Sequence, residues 1–435
     1  MNGLRLKPKN EAALVSWMLK KPRLPYLVRL PLPLSPELHV TAGDFVRAGQ
    51  KIADSQDPSG IPLFASVFGR VQKISPWVEI QSEDRDEAIL PQERPGWQAL
   101  SAPELISLFR DRGLRELDDQ AFALHEIVGR SGPRSVLIIN ACESEPYVTS
   151  DYALVMSHAP EILKGAEILR RAYGAKKLVI TLQQEGREAA ELLKSKIYFL
   201  KWDHAEVRVL PSVYPQDMLH PLVRAVTGKD LLPQRREALR SGRSRNDPWL
   251  DRDLLEDAEA ALHDAATAFA VYEAVVMQKP FYERALTVAG ECVIEPKNLW
   301  IPLGLSAGDA LKACRGLMRE PAVVVLNGPL RGRTLTEYET PLGAGDRALL
   351  ALPKELVASG PEEACTRCGK CAEVCPAGIF PVFIAEAAGK GLTQEAESWG
   401  AGLCFHCGSC TYSCPSRLPL DERVLQAEEL LFPAR

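Results

Sequence analysis

Two stretches decide how this chain is read: Cys365-Thr-Arg-Cys368-Gly-Lys-Cys371-Ala-Glu-Val-Cys375-Pro376 and Cys404-Phe-His-Cys407-Gly-Ser-Cys410-Thr-Tyr-Ser-Cys414-Pro415. Eight of the eleven cysteines fall in these two C-x2-C-x2-C-x3-C-P runs. That spacing is the signature of a pair of [4Fe–4S] clusters of the bacterial ferredoxin type. A cubane needs four thiolates at the corners of a tetrahedron, and one tight loop can supply three of them. Gly369 and Gly408 stand where that loop must turn through positive φ, which a Cβ resists. The fourth cysteine of each run typically serves the other cluster. The expected ligand sets are therefore Cys365, Cys368, Cys371 and Cys414 for one cluster, and Cys404, Cys407, Cys410 and Cys375 for the other. Pro376 and Pro415 turn the chain away from each loop.

Structural zinc is the competing interpretation, but zinc sites usually take two C-x2–4-C pairs from separate knuckles. Disulfide frameworks belong to short secreted chains. Outward from the cysteines, 435 residues allow two to four domains. A hydrophobic share of 46% with 25% charged residues is that of an ordinary globular protein. The net charge of −5 offers no pull towards nucleic acid or anionic lipid. No apolar run reaches the ~18 residues of a membrane span, and the N-terminus lacks a signal-peptide core. Thiolate-bound clusters imply a reducing compartment, so the expected location is the cytoplasm.

Residues 1–28 form a basic segment, six basic side chains against one acidic. Asn10 is a candidate N-cap for a short amphipathic helix there, which would pack on protein or, as a minor alternative, lie on a membrane. Residues 29–95 read as short strands separated by turn signals such as Ala42-Gly43-Asp44 and Phe68-Gly69-Arg70. Residues 100–280 alternate strands and helices: strands near Ser135–Ile139, Lys177–Leu182 and Glu206–Leu210, with helices between them. This pattern predicts a mainly parallel sheet with flanking helices. Five arginines between Arg235 and Arg245 suggest an exposed, solvated loop, with docking of an acidic partner as the alternative. A long helical pattern spans about Asp253 to Met277. Residues 284–355 look like a small α/β unit, and residues 360–435 like short helices around the cysteines.

Taken in this order, the chain resembles the C subunit of Rnf-type ion-translocating electron-transport complexes and its soluble relatives in cobalamin and proline reduction. The loop Asn140-Ala-Cys142-Glu143-Ser-Glu145-Pro146-Tyr147-Val-Thr149-Ser-Asp151 is similar to that family's N-x-A-E-x-E-P-Y-x-T-x-D loop beside a flavin. Tyr214-Pro215-Gln216, Thr227-Gly228 and Thr287-Val288-Ala289-Gly290 also match. The resemblance implies a multidomain α/β and α+β chain: a barrel-sandwich hybrid, an α/β domain like the 51-kDa subunit of complex I, a β-grasp module called SLBB, and a ferredoxin-like helical domain with two [4Fe–4S] clusters. In the family the α/β domain binds FMN and accepts hydride from NADH, with the phosphate on a glycine-rich loop. Here the corresponding stretch reads Glu116-Leu117-Asp118-Asp119-Gln120-Ala121-Phe122-Ala123-Leu124, with no glycine, and acidic Asp118 and Asp119 would repel a dianion. A second flavin position, asparagine in the family, is Asp264 here and cannot donate when ionised. These departures predict a degenerate site at Glu116, Asp118, Asp119 and Asp264, with FMN and NADH binding lost.

The expected function is therefore an iron–sulfur subunit passing single electrons between redox partners, a ferredoxin or other subunits of a larger complex. Peripheral attachment to the inner face of the cell membrane through membrane subunits would follow from such a complex. Two alternatives stay open: an intact FMN-dependent NADH- or ferredoxin-linked oxidoreductase, and a scaffold with purely structural metal. Glu143 and Glu145 are expected to structure their loop, and Cys142, Cys292 and Cys314 to be buried inert thiols.

Overall fold

The structure, a computed structural model, describes residues 18–23, 26–83, 87–117, 120–245, 247, 249–357 and 360–433. The start of the proposed helix capped by Asn10 lies outside the described residues, as do Asp118 and Asp119, but its expected end at Lys20 and Lys21 is not helical: Lys20 bridges to Leu299, its amide donating to the Asn298 carbonyl at 3.1 Å.

Alternation of apolar and polar residues drives the first unit. The strand Trp77–Ser82 alternates buried and half-buried side chains, and its partners Leu27–Pro31 and Gly69–Ile74 run antiparallel on either side of it. A second, three-stranded sheet of Pro36–Leu38, Lys51–Ser55 and Leu63–Phe64 closes over the same core. That core contains Val28, Leu30, Ile52, Val71, Val78 and Ile80.

The central unit is a four-stranded, wholly parallel sheet in the order Ala205–Leu210, Lys177–Gln183, Val136–Asn140, Ala260–Asp264. Its strands are almost continuously apolar because helices cover both faces. On one face the helices Ala102–Asp111, Ser150–Ala172, Arg187–Leu200 and Ala265–Val275 bury the largest core of the molecule. On the other, Leu222, Leu231, Leu254 and Leu255 form a smaller layer with Ile138. The long helical pattern expected over Asp253–Met277 is in fact three elements: the helix Leu250–Asp257, the edge strand Ala260–Asp264 and the helix Ala265–Val275. The five residues Ala-Ala-Leu-His-Asp are too few to carry a period that separates a strand from a buried helix turn, and the parallel pairing with Val136–Asn140 decides the matter.

The third unit is a five-stranded mixed sheet in the order Lys297–Pro302, Glu283–Ala289, Ala348–Leu352, Val323–Leu326, Arg333–Thr334. The helix Ala307–Ala313 covers it, N-capped by the Ser306 hydroxyl, which accepts from the Asp309 amide at 3.1 Å. The first unit packs on it directly: the Arg29 amide donates to the Gly304 carbonyl at 3.0 Å, and the Ser66 hydroxyl donates to that of Leu303 at 2.7 Å.

The arginine-rich segment is not a solvated loop. It forms the helix Leu232–Arg240, whose Leu232, Arg235 and Leu239 share one buried face, and it is clamped onto the cysteine-bearing unit. The Arg235 guanidinium is buried and donates to the Gly402 carbonyl at 2.9 Å. It also lies 3.8 Å from the fully buried Glu428 carboxylate. Arg240 pairs with Glu397 at 2.5 Å and Arg245 with Glu429 at 3.5 Å. The acidic partner of this basic run is thus the chain's own C-terminal unit. Leu232, Arg235 and Leu239 recur at helical spacing, a signal that the density of charge concealed.

Two outcomes test this packing. Gly165 of the long helix lies so close to its neighbour that an added Cβ would meet the Ala268 carbonyl oxygen at 1.7 Å. Gly165→Ala is expected to cost about 1–3 kcal/mol in urea unfolding, the range for overpacked contacts, whereas Gly132→Ala, in open space, leaves the midpoint nearly unmoved. Arg235→Met removes the buried cation beside Glu428 and the donor to the Gly402 carbonyl, leaving Glu428 the Gly402 amide and His406, and is expected to cost about 3 kcal/mol, as loss of one partner of a buried pair does. Arg240→Met, half exposed, should cost under about 1 kcal/mol. Equal costs for the two arginines would contradict the clamp.

Candidate cluster and cofactor sites

The cysteine runs fold as two copies of one loop. Cys371 sits on the short helix Lys370–Glu373 and Cys410 on its counterpart Ser409–Tyr412. Gly369 and Gly408, which precede these helices, take φ of 77° and 74°. The same left-handed geometry recurs at Arg367 (60°) and His406 (53°), and again at Gly378 (67°) and Arg417 (57°). The non-glycine members were not foreseeable from composition. They turn amides inward, so that the Arg367 and His406 N–H groups donate to the sulfurs of Cys365 and Cys404, each at 3.4 Å.

Chain reversal between the runs brings the fourth cysteines across. Cys365, Cys368, Cys371 and Cys414 line one cavity of about 170 Å³, closed on its inner side by Val382, Leu418 and Leu420. Cys375 lies instead near Cys407, whose charge raises its thiol, and near Cys410, whose thiol its own charge raises. Burial pushes the Cys375 and Cys410 thiols up, so those sulfurs ionise readily only when a cation takes the thiolate. A cavity of this size suits a polynuclear group rather than the ~2.3 Å coordination sphere of one zinc ion.

The second candidate site lies where open α/β sheets hold ligands, beyond the carboxyl ends of the strands. There Asn140 and Asp264, the last residues of two adjacent strands, border a cavity of about 240 Å³ together with Glu116, Asp217, Arg252, Arg331 and Arg347. Asn140 donates to Asp264 at 2.9 Å. Glu116 does not stand in solvent as a repelling charge. It is buried and turned under its own loop, where it meets the His263 ring in a short contact and accepts from the Thr267 hydroxyl at 3.0 Å. Burial raises its carboxyl, but the His263 ring, Arg252 and Thr267 outweigh that and hold it below the usual range. The Tyr173 hydroxyl lies 2.9 Å from the other nitrogen of His263 and extends the chain inward. The Glu116 amide donates to the Phe122 carbonyl at 2.8 Å.

Between the two sites lies a buried ionic hub. Arg331 donates through Nε to Glu145 at 3.0 Å and through Nη2 to Asp217 at 2.7 Å, and Arg347 approaches Asp217 at 3.5 Å. The amides of Leu330 and Arg331 also donate to Glu145, both at 3.1 Å. The Tyr214 hydroxyl lies 3.1 Å from Glu145 and donates to the Cys407 carbonyl at 2.6 Å. Burial lifts the Glu145 carboxyl against the pull of Arg331, whereas for Asp217 two arginines overcome burial and keep it below the usual range. Arg331 escaped sequence reasoning, and Tyr214 was legible only as a family match, because their contacts reach across 69 to 193 positions. Glu143 and Glu145 do structure their loop as expected: Glu143 accepts from the Asp151 and Tyr152 amides at 2.8 and 3.0 Å, capping the long helix. Cys142, Cys292 and Cys314 are buried and unbridged.

Burial raises the Glu143 carboxyl to about 8. Between its unfolded value near 4.5 and this one, the unfolded chain has released a proton that the native protein keeps. Glu143 therefore subtracts stability progressively as pH rises through that window. Glu143→Gln should gain on the wild type from pH 5 to 8 and level off above it. A melting-temperature difference that is flat with pH would refute this.

Comparison with known proteins bears on both sites. The Nuo51 FMN-binding domain model matches residues 109–273, and the 4Fe-4S dicluster domain model matches residues 364–418. The first match extends over the substituted Glu116 loop, so the expected loss of FMN finds no support from the family comparison, which identifies this domain as of the FMN-binding type. The chain is 28% identical over 388 residues to the C subunit of the proton-translocating ferredoxin:NAD(+) oxidoreductase complex of Clostridium ljungdahlii, covering 86% of this chain and 80% of that one. It is 30% identical to the C subunit of the ion-translocating oxidoreductase complex of Erwinia tasmaniensis over 79% of this chain, but spans only 42% of that protein. It is 29% identical to the C subunit of the ion-translocating oxidoreductase complex of Rhodobacter capsulatus over 82% of this chain and 69% of that one. Among solved structures, a chain of an air-oxidized NAD+-reducing [NiFe]-hydrogenase superposes with a TM-score of 0.50 at 14% identity, over 76% of this chain and 64% of that one, a likeness of fold. Among the described residues no helix is long and apolar enough to cross a membrane. With an FMN-binding-type α/β domain joined to a dicluster domain and relatives matched across most of its length, the chain is a homologue of the C subunits of ion-translocating oxidoreductase complexes.

Proposed function

We propose that this protein is an electron-transfer subunit that relays single electrons through two [4Fe–4S] clusters between partners in a larger oxidoreductase assembly, without a flavin of its own. The observation that supports the relay is the placement of Cys414 beside the first run and of Cys375 near the second. Cys365, Cys368, Cys371 and Cys414 share one cavity, and Cys375 joins the charges of the second run. Bound there, the clusters supply reversible one-electron storage. The chain's own residues do the rest. The amides of Arg367 and His406 donate to ligand sulfurs, stabilising their negative charge. Leu418 and Leu420 exclude water on one side, and the Tyr214 hydroxyl fixes the carbonyl of Cys407.

The absence of flavin is supported by the polar cavity at the strand ends. A phosphate there needs several converging amides, and the Glu116 amide is already taken by the Phe122 carbonyl while its carboxylate is turned inward to Thr267. Asp264 takes the amide proton of Asn140 where a flavin would need a donor. The same residues set the competing proposal, an FMN-dependent subunit, and the FMN-binding domain match favours it.

Anaerobic reconstitution of the full chain is expected to yield about eight irons and eight sulfides, with absorbance that bleaches on dithionite. Native protein should release FMN in well below one equivalent on acid treatment. Near-stoichiometric flavin would overturn the flavin-free reading while leaving the relay intact. Cys375→Ala should damage the cluster built on Cys404, Cys407 and Cys410, seen as loss of one of two electron-paramagnetic-resonance signals. Damage confined to the other cluster would refute the crossed ligation.

A further inference from the structure

The two cysteine loops are chemically and conformationally equivalent, so any difference in their exposure reports on what surrounds them. Cys368 is exposed, whereas its counterpart Cys407 is half buried. The Arg367 side chain is 55% exposed and its counterpart His406 27%. Lys370 is exposed, whereas Ser409 at the same place is buried. A Cβ on Gly369 would meet nothing within 4 Å, but one on Gly408 would press on the Leu330 carbonyl oxygen at 2.7 Å. The loop 405–409 is covered by the ionic hub and Tyr214, although Tyr412 beyond it is 59% exposed, whereas the loop 366–370 is open apart from the pair of Arg367 with Glu386 at 2.9 Å. Beside the open loop Phe380 leaves its ring 42% exposed, its inner edge set against Trp399 at 5.4 Å between ring centres.

We propose that the cluster site of the first run is the surface terminal of the relay, and that the loop 366–370 with Phe380 is where an external one-electron carrier protein lands. This rests on the cluster ligation proposed above. Electron transfer demands close approach of two cofactors, and this is the one face among the described residues where a cluster-ligand cysteine is exposed. A glycine with open space above it lets a partner's backbone come near, and an exposed ring supplies the apolar contact found at the centre of docking patches. Lys370 contributes a cation beside it, which favours a carrier with carboxylates around its cofactor. One electron crosses, leaving one partner oxidised and the other reduced by one, and no bond or proton moves. The covered second run is the inner station, adjoining the polar cavity through Tyr214 and Arg331.

The test uses the anaerobically reconstituted full chain and a fluorescently labelled two-[4Fe–4S] ferredoxin as carrier. Lys370→Glu and Phe380→Ser are each expected to weaken binding by about fivefold or more, with the salt dependence reduced in the Lys370 variant. Cross-links from the ferredoxin should map to Lys370 in the wild type. Tyr198→Ser with Phe199→Ser, two exposed aromatics elsewhere on the surface, should bind as the wild type does. Full iron content with binding unchanged in both loop variants overturns this inference alone, whereas absence of the expected iron overturns the relay itself. A homodimer that Phe380→Ser dissolves would also overturn it, by assigning the face to a second copy of the chain.

Discussion

The Arg331 guanidinium, held between Glu145 and Asp217, is the contact on which the arrangement of units depends. Both carboxylates are 1% exposed, so each would carry a desolvation cost of several kcal/mol without its partner. Glu145 belongs to the loop after the central parallel strand, Asp217 to the turn before the helix Leu219–Thr227, and Arg331 to the mixed sheet. Satisfying these three charges together forces three chain segments into one register. The second cysteine loop joins them because the Tyr214 hydroxyl and the Leu330 carbonyl press against Cys407 and Gly408. A buried pair of this kind contributes little net stability, but a wrong arrangement of the units would leave a charge unpaired, and that cost specifies the right one.

The arginine clamp acts at the other side of the same unit. Arg235 reaches the Gly402 carbonyl and Glu428 from the helix Leu232–Arg240, and Leu239 packs with Phe432. Hub and clamp together hold the second cysteine run from two directions and leave the first run outside. The asymmetry of exposure between two equivalent loops is thus a consequence of docking, not of the loops themselves.

The polar cavity shows how an inherited fold can keep its frame while its chemistry is in question. The parallel strands still deliver Asn140 and Asp264 to their carboxyl ends, as the topology requires. The Glu116 carboxylate is buried and hydrogen-bonded to His263 and Thr267. Sequence alone supplied the loss of glycines but not the inward turn of Glu116, which depends on a histidine 147 residues away.

Local chemistry made much of this legible. The cysteine spacing carried the repeated loop and its turn glycines, because three cysteines within seven residues leave that loop few conformations. Apolar strands at regular spacing carried the parallel sheet, apart from Ala260–Asp264, whose composition suits helix and strand alike. The Asn140–Asp151 loop carried the family resemblance. What neighbours a loop, however, is set by contacts hundreds of residues apart. Run by run, the sequence cannot distinguish Cys368 from Cys407, or a solvated arginine cluster from one seated on Glu397, Glu428 and Glu429. Only tertiary structure decided which cysteine loop is covered and which faces outward, because that depends on where three buried charges find their partners.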